Sequence, residues 1–209
     1  SGANLTNLPA SGATSINGLS DATTPATGNI GLGSGAVDSI TTGDFNVGVG
    51  TLAGTGITSG SGNTAIGYET FNTNSTGDNN TAVGKEALQN NTTSSGNTAI
   101  GYRSLKMNQT GASNIAIGYQ ALDAYTVSDT VAIGRNALGA NVSGTQNTAV
   151  GHETLKACTG SSNTAVGYNA GLDNTSASNS TAIGANALLA SYASSNTAVG
   201  STALKLNTT

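Results

Sequence analysis

Two side chains of this 209-residue chain carry the groups most often found in catalytic and metal sites: the single histidine, His152, and the single cysteine, Cys158. A zinc site needs several Cys or His ligands, and a reactive thiol needs electropositive surroundings. The sequence supplies neither, and one cysteine allows no intrachain disulfide. We therefore expect no catalytic site, no metal site and no cofactor, and we interpret His152 as a surface residue.

The carboxylates are the remaining candidates for acid–base chemistry. Acidic residues are scattered along the chain without the GGxGxD periodicity of calcium-binding β-rolls. Glu69 and Glu86 stand at equivalent positions of consecutive repeats, so they should lie side by side. Such pairs arise easily in an exposed column, and we interpret them as solubilising. Polysaccharide hydrolysis by this pair remains an alternative.

Composition narrows the possible partners. Charged residues make up 8% of the chain, where about 25% is typical, and the net charge is −4. Only 6 residues are Lys or Arg, too few to neutralise a phosphate backbone, so we expect no nucleic-acid partner. No apolar run has transmembrane length, so we expect no membrane insertion in this segment.

A glycine that ends the phrase NTA(I/V)G, or a variant of it, recurs every 16 or 17 residues. These glycines are Gly33, Gly50, Gly67, Gly84, Gly101, Gly118, Gly134, Gly151, Gly167, Gly184 and Gly200. A unit this short cannot hold two helices, and β-branched residues favour strands. The sequence predicts an all-β fold: a parallel β-solenoid or β-roll of about eleven coils, with a second short strand after each glycine.

Three columns of residues precede the glycine. The residue just before it is always aliphatic, the residue three before it is always β-branched, and the one between is Ala or Gly. Strand side chains alternate between faces, and neither face carries a charge in any repeat. We interpret the bulky face as the coil interior and the Ala/Gly face as a contact with another chain. The alternative is that Ala and Gly merely fit a tight coil cross-section.

The residues after the glycine divide into core and surface. An apolar column lies four residues on, and it should complete the core; Gly171, followed by Leu172, interrupts it and suggests a bulge. The first two columns after the glycine accept either charge sign and should face solvent. The first holds our candidates for receptor contact, which could stack on sugars or pack on each other across coils. They are Tyr68, Tyr102, Tyr119 and Tyr168.

Asparagine opens the repeated phrase in nine of eleven repeats, and Thr130 and Ser180 replace it in the other two. Stacked Asn side chains can hydrogen-bond to one another and to turns, so we predict a structural ladder. Its members include Asn63, Asn80, Asn97, Asn114, Asn147, Asn163 and Asn196.

The threonines of the β-branched column could also order water in an ice-binding surface. Ile30, Val47, Ile115 and Val131 replace Thr in that column, however. The column therefore favours β-branched shape over hydroxyl chemistry, and ice binding is a minor alternative.

The chain divides into two parts. Residues 1–28 lie outside the repeat and hold both prolines, Pro9 and Pro25, which predicts an extended connector or stalk. Residues 29–209 form the β-roll domain. The final LKLNTT has no capping pattern, so we expect this chain to be a segment of a longer fibre.

The stretches NTAIGYETF, NTAVGKEAL and NIAIGYQAL resemble the head repeats of YadA-like trimeric autotransporter adhesins, although the coil length differs. They resemble more closely the NTAxGYxAL repeats of phage tail-fibre proteins that mature with a C-terminal chaperone domain. The opening GANLTNLPAS is similar to tail-fibre linkers.

This resemblance implies a rigid, non-catalytic homotrimer in a virion tail fibre or at a cell surface. It also implies a cell-surface glycan or protein receptor as partner. A bacterial trimeric adhesin head or a self-assembling extracellular filament is the alternative.

Overall fold

The computed structural model describes residues 26–191 and 193–207. Each repeat contributes one three-residue strand, formed by the residues just before the recurrent glycine. These strands are β1 (Ile30–Leu32), β2 (Val47–Val49), β3 (Thr64–Ile66), β4 (Thr81–Val83), β5 (Thr98–Ile100), β6 (Ile115–Ile117), β7 (Val131–Ile133), β8 (Thr148–Val150), β9 (Thr164–Val166), β10 (Thr181–Ile183) and β12 (Thr197–Val199). Two shorter strands, β11 (Ala190–Ser191) and β13 (Leu206–Asn207), lie elsewhere in the last coils.

The repeat strands form one 11-stranded parallel sheet in which each strand pairs with its equivalent in the next coil. Equivalent residues are in register, so that Thr64 pairs with Thr81 and Ala65 with Ala82. This confirms the predicted all-β parallel solenoid. At a strand spacing of about 4.8 Å the sheet is about 50 Å long.

The assignment of the two strand faces from the sequence was wrong. The alanine at the strand centre is buried, with Ala65, Ala82 and Ala99 each 0% exposed, while the residues on either side of it face outward. The coil is too narrow for a larger side chain: a Cβ added to Gly31 would lie 2.7 Å from the Ala36 carbonyl oxygen. Ala and Gly therefore fit a tight cross-section, which was the alternative interpretation.

The predicted second strand is replaced by turns in most coils. Residues two and four places after the glycine adopt positive φ, as at Glu69 (54°) and Phe71 (49°). Their amides donate in opposite directions: Glu69 N to Thr51 O of the preceding coil at 3.2 Å, and Phe71 N to Ala87 O of the following coil at 3.4 Å. Hydrogen bonds thus join the coils here without regular strand geometry. Within residues 26–191 and 193–207, only β11 and β13 form a short strand pair in this part of the coil.

The apolar column four residues after the glycine does complete the core. Its buried members are Phe71, Leu88, Leu105, Leu122, Leu138, Leu155 and Leu188. The bulge predicted at Gly171 is absent, because Gly171 has φ 62° and donates to Ala187 O at 2.9 Å, in register with its neighbours. The side chain of Leu155 lies in the space that a Cβ of Gly171 would enter.

The glycine that ends each strand cannot be replaced without strain. Gly84 has φ 129°, a conformation that side chains rarely adopt. A Cβ added there would lie 2.6 Å from the Gly101 carbonyl oxygen of the next coil. Both the backbone conformation and the close stacking of coils therefore require glycine.

Residues 1–25 of the predicted connector 1–28 lie outside the described residues. Its last three residues stack on the first coil, where Phe45 N donates to Thr27 O at 2.9 Å. Thr27 N also donates to Asp44 Oδ1 at 2.6 Å. Coil-to-coil contacts therefore begin before position 29.

Candidate functional site

In seven consecutive coils the residue that directly follows the strand glycine carries a ring or a cation, and these residues form a column along one side of the rod. We call it the aromatic column, and it comprises Tyr68, Lys85, Tyr102, Tyr119, Arg135, His152 and Tyr168. The positive φ of each glycine turns the chain here, so the next side chain points outward. Tyr68, Tyr119 and Tyr168 are 44%, 45% and 55% exposed. All four tyrosines proposed for receptor contact lie in this column.

Members of the aromatic column contact each other across coils. The rings of Tyr102 and Tyr119 have centroids 5.3 Å apart, and His152 stacks on Tyr168 at 5.3 Å with an interplanar angle of 17°. Lys85 Nζ lies 5.5 Å from the Tyr68 ring centroid. A ligand at Tyr102 and Tyr119 would therefore meet ring edges and hydroxyls. Receptor contact by the four tyrosines stays a prediction.

A charged cluster lies beside the aromatic column. Lys106 Nζ is 2.6 Å from Glu86 Oε2, and Arg103 joins Glu86 to Asp123, its guanidinium lying 3.2 Å from Asp123 Oδ2. The hydrogen bond from Lys106 lowers the pKa of Glu86 below its usual value. Burial raises the pKa of Asp123 in spite of the attraction of Arg103.

The paired glutamates predicted from the sequence have separate partners. Glu69 accepts a hydrogen bond from Gln89 Nε2 at 2.9 Å, whereas Glu86 is held by Lys106. Each carboxylate is thus engaged with a long side chain of a different neighbouring coil. These contacts join neighbouring coils and give each carboxylate a partner other than the second carboxylate.

The outward face of the 11-stranded sheet is the second candidate surface. We call it the Thr/aliphatic face: it consists of the first and third residues of each repeat strand, and none of them is charged. Its aliphatic residues are substantially exposed, as at Ile66 (38%), Ile100 (38%) and Ile133 (37%). An uncharged and partly apolar strip of this length is the kind of surface that proteins usually cover.

Cys158 lies inside the coil. Its Sγ is 3.4 Å from Asn163 Nδ2 and 3.6 Å from the Gly160 carbonyl oxygen. Burial raises the pKa of its thiol, which keeps it protonated and unreactive. Among residues 26–191 and 193–207, no group of three or more His, Cys, Asp or Glu side chains could hold a metal ion.

The asparagines of the repeated phrase form a buried ladder. Asn80 Nδ2 donates to Asn63 Oδ1 at 3.1 Å and to Ser94 O at 2.9 Å, and Asn97 N donates to Asn80 Oδ1 at 2.9 Å. Of the predicted members, Asn196 in the last coil is only half-buried. The ladder holds the turn carbonyls and leaves its amides no access to a ligand.

Sequence reasoning missed a second buried column, seven residues after the glycine. It contains Asn74, Asn91, Asn108, Tyr125, Asn141, Cys158 and Asn174. Its amides bond across coils, as when Asn91 Nδ2 donates to Asn74 Oδ1 at 2.9 Å. The recurrence of Asn at this position was the available signal, but the column resembles an ordinary polar loop.

No helix in the described part of the chain is long and apolar enough to cross a membrane. Comparison of the chain with protein-family models, with curated proteins and with solved structures gives no match. Function must therefore be argued from the chemistry of the two surfaces.

Proposed function

We propose that this chain is a non-catalytic segment of a homotrimeric extracellular fibre of the phage tail-fibre type, which supports or forms a host-receptor-binding surface. The observation that carries the proposal is the Thr/aliphatic face, because its residues are at least partly exposed in all eleven strands and none of them is charged. The aromatic column, which also faces solvent, contains Lys, Arg and His, unlike the Thr/aliphatic face. One face is thus uncharged although none of the described residues covers it.

A second copy of the chain is the occupant that fits this face. Its two columns repeat at the strand spacing of about 4.8 Å, so an identical rod can match it residue by residue over its whole length. The face measures roughly 500 Å² per chain from that spacing and the alternation of side chains. Three such faces would together bury roughly 1,500 Å² in a trimer, compared with about 1,000 Å² or more for a specific interface.

Three copies, rather than two, follow from the resemblance to trimeric β-roll fibres. Around a three-fold axis parallel to the rod, each Thr/aliphatic face would contact both neighbours. This placement replaces the predicted interface on the Ala/Gly face, which lies inside the coil. The aromatic column would stay outward, where repeated weak contacts to a receptor add up to avidity.

The absence of catalysis is part of the proposal. It is supported by the burial of the Cys158 thiol, the stacking of His152 on Tyr168 and the separate partners of Glu69 and Glu86. Loss of glycan cleavage on changing both glutamates would contradict it. A bacterial trimeric adhesin head or an extracellular filament uses the same assembly, and the residues flanking this segment in its full protein distinguish these contexts.

Native mass measurement of the chain tests the assembly. We expect the mass of three chains for the wild type and of one chain for the double variant Ile100→Lys/Ile133→Lys, which charges the Thr/aliphatic face. The matched control, Tyr102→Lys/His152→Lys, adds the same two lysines to the aromatic column, where Lys85 already stands, and should remain trimeric. A wild type that is monomeric at micromolar concentration would refute the proposal.

A second candidate function is ice binding, favoured by one observation. The threonine column and the aliphatic column lie together on a regular and partly exposed face, rather than in the core as the sequence had indicated. A monomeric wild type that inhibits ice recrystallisation, with that activity lost in Ile100→Lys/Ile133→Lys, would establish this candidate in place of the fibre.

A further inference from the structure

A polar cleft interrupts the surface on the side of the rod that carries the charged cluster. Its volume is about 250 Å³, and it is lined by Gln120, Asp123, Asn136, Gly139, Ala140 and Lys156. The lining comes from three consecutive coils. The cleft therefore exists only in the stacked solenoid.

The cleft lies where one coil lacks a long side chain. Gly139 stands five residues after its strand glycine, in a column where the neighbouring coils carry Asp123 and Lys156. Gly139 does not have a positive φ, so its backbone does not demand glycine. The column also accepts Gln89 and Lys106 elsewhere, so the gap is a local feature of this coil.

Hydrogen bonds within and between coils hold the polar groups around the cleft in place. Gln120 Nε2 donates to Asp123 Oδ2 at 3.3 Å, and Asn136 Nδ2 donates to Glu153 Oε1 at 3.2 Å. Lys156 Nζ donates to the same Glu153 oxygen at 3.0 Å. Such preorganisation lowers the entropy cost of binding a ligand.

The charges around the cleft balance. Asp123 is paired with Arg103, and Glu153 is paired with Lys156. An anionic or cationic ligand would have to displace one of these partners, whereas a neutral ligand would not. Asp123 Oδ1 accepts no hydrogen bond within the described residues, and it is the acceptor that a ligand hydroxyl could reach after a small side-chain shift.

We propose that this cleft, the Gly139 cleft, binds one neutral pyranose unit of a glycan. Hydroxyls both donate and accept, which matches a lining of two amides, a carboxylate and an ammonium group. Drug-sized ligands occupy pockets of about 300–1,000 Å³, so the smaller Gly139 cleft suits a single sugar ring. This inference rests on the receptor-binding part of the proposed function and names the chemical class of the receptor.

The affinity of one cleft is low, because a shallow site buries only part of a sugar ring. We expect a Kd in the millimolar range for a free monosaccharide. Three copies on one fibre, and many fibres on one particle, would convert this weak contact into firm attachment.

NMR titration of the intact ¹⁵N-labelled chain with glucose, galactose, N-acetylglucosamine and sialic acid tests the proposal. We expect a neutral sugar to shift the backbone amides of Gly139 and Ala140 and the side-chain amides of Gln120 and Asn136, and the anionic sialic acid to leave them unchanged. Gly139→Gln refills the cleft with a side chain that the same column holds at Gln89, and it should abolish the shifts. The control Asn72→Gln places that side chain in the same column four coils away and should preserve them.

Three results would overturn the inference: no shift with any neutral sugar at tens of millimolar, equal shifts in Gly139→Gln, or a response to sialic acid alone. The ¹⁵N spectrum of Gly139→Gln reports whether the variant is folded. The result of the NMR titration is independent of the native mass measurement that tests the trimer. A trimer without sugar shifts rejects only the Gly139 cleft, whereas a monomer with sugar shifts rejects only the trimeric fibre.

Discussion

The hydroxyl of Tyr125 lies 2.6 Å from Thr130 Oγ1 inside a coil where both residues stand in columns of buried asparagine. In other coils the ladder asparagine donates to a turn carbonyl, as Asn97 Nδ2 does to Gly111 O at 3.0 Å. Thr130 is too short to make that bond, and the Tyr125 hydroxyl donates to Gly144 O at 2.9 Å in its place. Tyr125 and Thr130 each replace the asparagine of their column, and the two replacements therefore compensate for each other.

Removing this hydroxyl should destabilise the solenoid. Tyr125→Phe removes the partner of the Thr130 hydroxyl and leaves the Gly144 carbonyl with Asn141 Nδ2 alone, and we expect a loss of about 1–3 kcal/mol in the free energy of unfolding. Urea denaturation measures it, with Tyr168→Phe as the exposed control, expected to change stability by less than about 0.5 kcal/mol. The double variant Tyr125→Asn/Thr130→Asn should be more stable than the sum of the two single-variant effects predicts. If the two effects simply added, Tyr125 and Thr130 would not be coupled.

The same hydroxyl predicts a response to alkaline pH. Burial raises the pKa of Tyr125 from 10.0 to about 12. The folded state therefore holds this proton more tightly than the unfolded state, and the stabilisation is fully present below pH 10.0 and is lost as the pH rises towards about 12. The free energy of unfolding of Tyr125→Phe should fall less over this interval, and parallel curves for the two proteins would contradict the assignment.

The asparagine ladder should be the least tolerant polar column. Asn80→Ala removes the donors to Asn63 Oδ1 and Ser94 O and the acceptor for Asn97 N in a fully buried setting. We expect a loss of about 3 kcal/mol or more, because the partner groups are left buried and unsatisfied. Asn72→Ala, at a half-buried position, is the matched control for thermal denaturation. Similar midpoints for the two variants would show that the ladder contributes little.

The period of the fold could be predicted from the sequence, and the faces of its strands could not. Stacked coils require equivalent residues at equivalent positions, so Gly67, Gly84 and Gly101 mark the repeat directly. The absence of charge in the columns of Thr64 and Ile66 did not show which face of the strand lies inside the coil. A face covered by a second chain and a face inside the coil both exclude charge, and only the narrow cross-section around Ala65 decides between them.

The candidate sites were predictable to different degrees. The aromatic column was found because its mixed composition is typical of an exposed position. Its ring contacts depend on side-chain directions, which the residue types at equivalent positions do not determine. The Gly139 cleft depends on one small residue between two long ones in adjacent coils. Alignment of the repeats could have found it, since Asp123 and Lys156 flank Gly139 in the same column.

The strand glycines should be irreplaceable, whereas Gly139 should not. Gly84→Ala forces a side chain into φ 129° and against the Gly101 carbonyl oxygen, and we expect a loss of at least about 2 kcal/mol. Gly139→Ala has no positive φ to overcome. Its Cβ would lie 3.1 Å from the Gln120 carbonyl oxygen and 3.3 Å from the Asn136 carbonyl oxygen, which a shift of a few tenths of an ångström relieves, so its free energy of unfolding should change by less than about 1 kcal/mol. Denaturant unfolding of both variants compares them, and equal losses would show that coil stacking tolerates a Cβ at the strand end.

The charged cluster should give two pH dependences of opposite sign. The pKa of Glu86 is lowered, chiefly by Lys106, so its stabilising contribution is present above the usual carboxyl range and is lost as the pH falls through its folded-state pKa. The pKa of Asp123 is raised by burial, so the folded state is penalised as the pH rises and this group ionises.

Thermal midpoints of Glu86→Gln and Asp123→Asn between about pH 3 and pH 7 measure these two contributions against the wild type. We expect Glu86→Gln to be less stable than the wild type at pH 7, and this difference should shrink as the pH falls, because the folded state of the wild type loses the contribution of ionised Glu86. Asp123→Asn should gain stability relative to the wild type as the pH rises from 3 to 7. If the stability of Asp123→Asn relative to the wild type instead fell as the pH rose, as for Glu86→Gln, the ion pair between Asp123 and Arg103 would outweigh the burial of Asp123.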